Sequence, residues 1–325
     1  MHSRPVVGLG LVLVLLSALT FATSPIFARS LIDAGWSPEA AVIARVSVGA
    51  LVLAVPSAIA LRGRWSVLRR NLAAIGLFGV LGVATAQVCF FYAIRYLPIG
   101  VALLVEHLAV VPVVLWMWLA YGQRPRRLTV AGAVVAVLGL VFVLDLTGAT
   151  RMDPVGVLWA LAAAVGLAGY FVLSERIDGE LPAVALATGG MAVAAVVLGL
   201  LGAIGLVPLN VNFGEVSFLG QPTSWLVPVA GLSLVTAVVS YLTGIAGTRI
   251  LGARLASFVG LIEVVFAVLI AWLVLAELPT LVQLFGGVLI VGGVVLVRLD
   301  ELRGVPTVGG VDLPSPEKAT TRSGP

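Results

Sequence analysis

An all-α membrane protein of ten transmembrane helices, arranged as two inverted five-helix repeats, is the fold class this sequence predicts. Of its 325 residues, 61% are hydrophobic and 10% charged, and the mean hydropathy is +1.17. A soluble domain carries roughly a quarter charged residues and could not cover its surface with so few. The apolar residues gather into ten charge-poor runs, and part of the chain recurs at an offset of about 154 residues. About 20 apolar residues cross a bilayer as a helix, so the length accommodates roughly ten to twelve crossings and no sizeable extramembrane domain. A receptor or enzyme with a soluble head is excluded.

The first run, 6–28, follows Arg4 as a signal peptide's apolar region would. At about 23 residues it exceeds the usual ~7 to 15, and Pro25 sits beside the one small-residue cleavage candidate, Ala22 to Ser24. It reads as an uncleaved span. The second run, 40–61, contains Arg45 and Pro56, and the third covers 72–94. The fourth, 99–121, carries Glu106, His107 and Pro112; the fifth, 128–146, carries Gly132 and Gly139. The sixth to eighth cover 154–174, 182–207 and 225–247, the last with Pro228. The ninth, 255–275, contains Glu263, and the tenth, 280–297, repeats the paired glycines at Gly286 and Gly293. None alternates with period two, and each is about twice the length of a barrel strand, so helices are expected throughout. Prolines inside spans should kink them, and glycines seven apart share a face suited to close helix packing. Residues 304–325, rich in Pro, Gly, Ser and Thr, read as a disordered cytoplasmic tail.

Arginine fixes the direction. With the N-terminus inside, the cytoplasmic connections hold about thirteen arginines and the outer ones three, Arg29, Arg95 and Arg151. Both termini are therefore expected in the cytoplasm of a multi-pass protein of the cell membrane. These basic residues serve as an insertion signal and predict no nucleic-acid partner. The single cysteine, Cys89, supports neither a disulfide framework nor a metal site and reads as a small buried residue.

Residues 92–140 align without gaps on 246–294 with about 15 identities, among them Arg95/Arg249, Trp118/Trp272, Pro125/Pro279, Gly132/Gly286 and Gly139/Gly293. The expected organisation is a first repeat over 1–150 and a second over 151–303. Five spans is an odd number, so the second copy begins on the opposite side of the membrane. Inverted repeats give one scaffold two related conformations, the usual basis of alternating access.

The stretches SPEAAVIARVSVGALVL (37–53), FYAIRYLPIGVALLVEHL (91–108), LWALAAAVGLAGYFVLSERI (158–177) and IEVVFAVLIAWLVLAELPTLVQLFGGVLIVGGVVLV (262–297) resemble the EamA branch of the drug/metabolite transporter superfamily. The resemblance spans nearly the whole chain apart from the tail. It implies a ten-helix transporter of two inverted EamA repeats, commonly an exporter of amino acids or other small metabolites. The segment around Glu106 and His107 resembles the threonine/homoserine exporter side of that branch. The chain departs from the family pattern at Val264, which replaces the usual proline after Glu263, and at Gln123, which stands opposite Glu277.

An ionisable side chain at mid-bilayer costs about 2.5 to 3.5 kcal/mol on insertion scales, so each calls for a reason. Four fall inside the runs: Arg45, Glu106, His107 and Glu263. Glu263 aligns three positions from Glu106, close to one helical turn, so two carboxylates project from equivalent helices. Carboxyl groups so placed can take a proton from one side and release it to the other, while a paired structural role is the alternative. Arg45 could snorkel, form an ion pair or contact an anionic solute group, and its position resembles the family's usual arginine. His107 could titrate or simply pack through a hydrogen bond. Gln87, Tyr92, Tyr170, Ser174 and Tyr241, with Ser240 and Thr243, are weaker candidates for the cavity or for interhelical bonding.

No Walker, HExxH or GxSxG motif stands in a supporting context, and the one lysine, Lys318, lies in the tail. The chain is expected not to be an enzyme and to need no cofactor or metal. The expected function is efflux of amino acids or related small polar metabolites by alternating access with proton antiport. A cationic drug or metabolite exporter, or an importer, is the alternative, and a non-transporting scaffold lacks a reason for two inverted halves. The expected partners are the bilayer, a small-molecule substrate and protons, with a homodimer left open.

Overall fold

The structure is a computed structural model that describes residues 4–109, 126–143, 152–176, 180–251, 262–275 and 280–303, with residues 111, 112, 115, 118, 119, 122 and 259 between them. The tail at 304–325, Trp116, Gln123, Glu277 and the start of the ninth run lie outside the described residues.

Within the described residues, each apolar run coincides with helix. Five helical stretches are long and apolar enough to cross a membrane: Val7–Asp33, Pro38–Ala60, Leu72–Tyr96, Ala183–Ala203 and Leu226–Gly244. Five shorter apolar helices, Ile99–Ala109, Arg127–Val143, Pro154–Tyr170, Ile262–Val274 and Leu281–Val297, fall on the remaining runs. The chain is a multi-pass, mainly helical membrane protein. Its apolar outer faces, such as Leu51 and Val55 or Val288 and Leu281, are exposed as lipid contact requires.

The first run is two helices, α1 (Arg4–Ala22) and α2 (Ser24–Asp33), broken at Thr23. Pro25 therefore sits at the start of α2, where its missing N–H costs nothing, instead of kinking one long helix. Helix α3 (Pro38–Ala60) begins with Ser37 as N-cap, whose side chain accepts from Ala40 N, and runs through Pro56. The short α4 (Trp65–Arg70) precedes α5 (Leu72–Leu77), which widens into a π-helical stretch, Phe78–Thr85, and returns to α-helix as α6 (Ala86–Tyr96). Helix α7 (Ile99–Glu106) tightens into a 3-10 turn, His107–Ala109. Then come α8 (Arg127–Val143), α9 (Pro154–Arg176) and α10 (Ala183–Ala203). A two-stranded hairpin, β1 (Glu215–Phe218) and β2 (Gln221–Ser224), interrupts the helices. Helix α11 (Leu226–Ala230) leads into a second π stretch, Gly231–Val239, followed by α12 (Ser240–Leu251), α13 (Ile262–Leu275) and α14 (Leu281–Arg303).

Among the described residues the hairpin is the one departure from an all-helical reading. Its strands pair Phe218 with Gln221, leaving a two-residue turn with positive φ at Leu219 (55°) and Gly220 (74°). That geometry fits the right-handed twist of paired strands and normally selects Asn or Gly at the first position. Leucine there conceals the turn from sequence reading. The connection binds the α2–α3 corner closely: Trp36 Nε1 donates to Asn212 O at 2.8 Å, Ser37 Oγ to Pro208 O at 2.7 Å and Ser37 N to Asn210 O at 2.9 Å.

The π stretches occupy matching places. The offset of 154 carries 78–85 onto 232–239, inside Gly231–Val239, and carries α6 onto α12. The packing repeats as well. Helix α1 packs on α12 and α13, as α9 packs on α6 and α7; α3 packs on the second π stretch and α10 on the first. Contacts of α3 with α10 and with α6, and of α7 with α13, join the two sets, and α8 packs extensively on α14. The α8–α14 contact is made by the glycine stripes. A Cβ on Gly132 would lie 2.6 Å from Gly293 O, and one on Gly139 2.6 Å from Gly286 O, so only glycine permits the approach.

Candidate functional site

Arg45 sits midway along α3 and is 2% exposed. The break at Thr23 places Ser24 beside it, and the second π stretch brings in the Thr236 carbonyl. Arg45 Nη1 donates to Ser24 Oγ at 2.9 Å and Nη2 to Thr236 O at 3.3 Å. The guanidinium carbon stands 4.9 Å from the centroid of the Phe21 ring, a cation–π contact. Arg45 therefore points inward and ties α3 to α1, α2 and the second π stretch. Snorkelling is not what it does. Among the described residues its Nε has no hydrogen-bond partner.

Glu106 closes α7 and Glu263 stands in the first turn of α13, two helices that pack on one another. Both carboxylates are half-buried. They interact electrostatically with each other and with Arg45. Tyr241 of α12 reaches the same group through Arg45 and Glu263, and Tyr170 of α9 through Glu263 and Tyr241. The π-stretch glycine Gly82 lets α9 come close at this level, since a Cβ on it would stand 2.9 Å from Tyr170 Cα. Two carboxylates, one fixed guanidinium and two phenols from five helices thus share one region. Fully ionised, the three charges sum to one negative.

Other hydrogen bonds engage several of the remaining candidates. His107 opens the 3-10 turn, and its Nδ1 lies 2.9 Å from Leu103 O, the local bond of a packing residue. Ser240 and Ser17 bond across α12 and α1, with Ser17 Oγ 2.8 Å from Ser240 O. Thr243 bonds back to Val239 O at 2.8 Å. Gln87 is half-buried, and its Oε1 has no hydrogen-bond partner among the described residues. The side chain of Ser174 lies outside the described residues.

Tyr92 belongs to a second polar cluster that sequence reading missed. Its hydroxyl donates to Glu39 Oε1 at 2.8 Å, and its ring stacks on Trp159 with centroids 4.5 Å apart. Glu39 is 3% exposed, and its Oε2 has no hydrogen-bond partner among the described residues. It is a further buried ionisable group within the apolar helices, beyond the four read from the runs. Ser37 and Pro38, an N-cap followed by a first-turn proline, were the available signal that the helix begins before Glu39.

The model of the EamA-like transporter family matches the chain twice, over residues 8–145 and 154–299. The uncharacterized transporter YdfC of Bacillus subtilis (strain 168) is 26% identical over 263 residues, covering 80% of this chain and 81% of its own. The uncharacterized inner membrane transporter YicL of Salmonella typhimurium is 22% identical over 304 residues, 90% of this chain and 96% of its own. One solved crystal structure shares the fold with a TM-score of 0.60 at 23% identity, over 90% of this chain and 98% of that one. With family matches over both halves, helices on every apolar run and polar groups gathered among them, the chain belongs to the EamA-like transporter family.

Proposed function

We propose that the protein is a secondary transporter that exports amino acids or related small polar metabolites by alternating access, in antiport with protons. The observation that carries this reading is the grouping of Glu106 and Glu263 with Arg45 where α7 and α13 pack together. Residues 1–150 and 151–303 act as inverted five-helix repeats in this reading, followed by a cytoplasmic tail at 304–325. The two family matches, the equivalent π stretches and the reciprocal helix contacts support it. Ten crossings with both ends in the cytoplasm of the cell are supported by the arginine distribution.

Arg45 is held by Ser24 and Thr236, so its charge stays fixed while the carboxylates change state. One proton balances the group, and so does one cationic group on a solute. Exchange of the one for the other is what antiport needs. The same charge sum favours a second reading, export of a cationic drug or metabolite held directly by the carboxylates.

Glu106→Gln and Glu263→Gln variants, inserted at parental levels in proteoliposomes, should lose solute movement driven by a pH gradient. Equal gradient-driven transport in parent and variants overturns the coupling role. The solute is identified by overexpression with internal and external metabolite pools measured by mass spectrometry. A specific fall inside supports export, and accumulation inside overturns the direction.

A further inference from the structure

We propose that Glu39 and Tyr92 form a latch between the two helix sets, and that its breaking opens the way from the outer side to the central charges. This rests on the alternating access proposed above and not on which solute or ion moves. Helix α3 packs in the set built on the second π stretch, and α6 in the set that holds α9. The bond from Tyr92 Oη to Glu39 Oε1, 2.8 Å long, therefore crosses from one set to the other.

Chain order puts the bond at one end of the helices. Glu39 stands in the first turn of α3 and Tyr92 about one turn before the end of α6, where α2 also ends and α9 begins. The arginine distribution makes this the outer end in the proposed orientation. Arg29 of α2 adds a second polar tie there, donating to Ile94 O of α6. On the α6 side the contact is firm. The Tyr92 ring stacks on Trp159 of α9 with centroids 4.5 Å apart. A Cβ on Gly156 would stand 2.7 Å from both Tyr96 Cβ and Leu97 Cγ, so α6 and α9 fit too closely here to move apart separately.

The α3 side is the one that can let go. Glu39 is 3% exposed, yet its Oε2 has no hydrogen-bond partner among the described residues. Arg95, whose guanidinium carbon stands 5.9 Å from the Tyr92 ring centroid, makes no ion pair with it among the described residues. A buried polar group that only holds helices together is ordinarily hydrogen-bonded in full. Here one donor secures a carboxylate that water would solvate better, so closing the contact desolvates Glu39 and opening it returns the group to water. Ring packing and one hydrogen bond favour the closed arrangement, and solvation of the carboxylate favours the open one. A contact balanced in this way is suited to switching.

Behind the latch lies a native reporter. Cys89, the one cysteine of the chain, precedes Tyr92 by three residues and so shares its face of α6, close to one turn nearer the middle of the membrane. Its thiol is buried and interacts electrostatically with Glu106. Cys89 therefore stands between the latch and the central carboxylates, and a reagent arriving from the outer end must pass Tyr92 to reach it.

The test uses the full chain with its native thiol. Intact cells and inverted membrane vesicles are treated with a membrane-impermeant cationic methanethiosulfonate, and modification of Cys89 is followed by mass spectrometry. Tyr92→Phe removes the one donor to Glu39 and should speed modification from outside by roughly threefold or more. Glu39→Gln keeps an acceptor for Tyr92 and abolishes the charge that draws the contact toward water, so it should slow modification by a similar factor. A change of the same sign in both variants, or no change in either, overturns the latch. So does acceleration by Tyr92→Phe on inverted vesicles as well as on cells, the mark of a generally loosened protein, or on inverted vesicles alone. A Cys89 that stays unreactive from outside in the parent and both variants overturns it too, because the way would then not open at this end. The opposite signs should persist in a Glu106→Gln, Glu263→Gln background, where proton coupling is expected to be lost, so the latch and the antiport reading stand or fall separately.

Discussion

Tyr92 holds one oxygen of a carboxylate that has no other hydrogen-bond partner among the described residues, and Arg45 is held by a fork that lysine lacks; both arrangements turn single side chains into measurable free energies. Tyr92→Phe keeps the ring on Trp159 and deletes only the hydroxyl that Glu39 accepts from at 2.8 Å. Glu39 is 3% exposed, so its carboxylate is then left without a donor, which costs about 1 to 3 kcal/mol. The thermal midpoint of the purified protein should fall for Tyr92→Phe, and Glu39→Gln in the same chain should recover part of the loss. An additive double variant would mean the two groups do not interact. At Arg45, two separate nitrogens reach Ser24 Oγ and Thr236 O while the plane covers Phe21. An ammonium keeps the charge and cannot make all three contacts. Arg45→Lys should therefore lower the midpoint while preserving some transport, whereas Arg45→Ala should abolish both. Equal stability of Arg45→Lys and the parent would contradict the tie between α3 and the second π stretch. Of these residues, the sequence made Arg45, Glu106 and Glu263 visible because a charge inside an apolar run stands out. Glu39 stayed hidden because it lies at a run's edge, where hydropathy cannot tell a buried first turn from a wet loop.

Elements were legible in proportion to how strongly composition separates them from their alternatives. Among the described residues the apolar runs are helical because backbone groups in a bilayer must be bonded internally, and period-two patterning is missing. The π stretches were not legible: Phe78–Thr85 and Gly231–Val239 have ordinary apolar composition, and the widened turn is a matter of backbone bonding. Thr85 Oγ1 bonds to Val80 O, five residues back, at 2.9 Å, a reach that belongs to the wider turn. The hairpin was missed because Leu219 occupies a turn position where Asn or Gly usually announces itself. The glycine stripes, in contrast, were readable from spacing alone, and the packing of α8 on α14 gives them their function. A Cβ at Gly139 would stand 2.6 Å from Gly286 O and 2.7 Å from Ile290 N, backbone atoms that cannot step aside. A Cβ at Gly292 meets nothing within 4 Å. Gly139→Val should therefore force the helices apart, costing about 1 to 3 kcal/mol or more. Gly292→Val should match the parent in thermal midpoint and in yield after membrane extraction. Similar behaviour of the two variants would show that α8 and α14 do not touch through this face.

For the whole molecule, the duplication proposed from residues 92–140 and 246–294 predicts a symmetry that the helix contacts support. A gapless alignment predicts that equivalent helices should make equivalent contacts, and α1 with α12 against α9 with α6 is such a pair. The first two helices of each half align poorly in sequence, yet α3 and α10 still pack on each other as related elements would. Packing thus outlasts identity, because a lipid-facing or helix-facing surface accepts many apolar residues of similar size. Direction across the membrane is the remaining property of the whole chain, and the arginines predict it. The 62–70 connection carries four arginines, whereas 208–224 carries neither lysine nor arginine. The first should face the cytoplasm and the second the outside. The connection bearing Gln221 should therefore be reachable from outside intact cells, and the one bearing Arg64 should not. In a Cys89→Ala background, a membrane-impermeant maleimide should label Gln221→Cys before lysis and Arg64→Cys only after it. Both native side chains are exposed, so either thiol is available once its side of the membrane is opened. Labelling in the opposite order would reverse the orientation. Labelling of both thiols on intact cells would break the alternation of crossings on which the inverted relation of the halves depends.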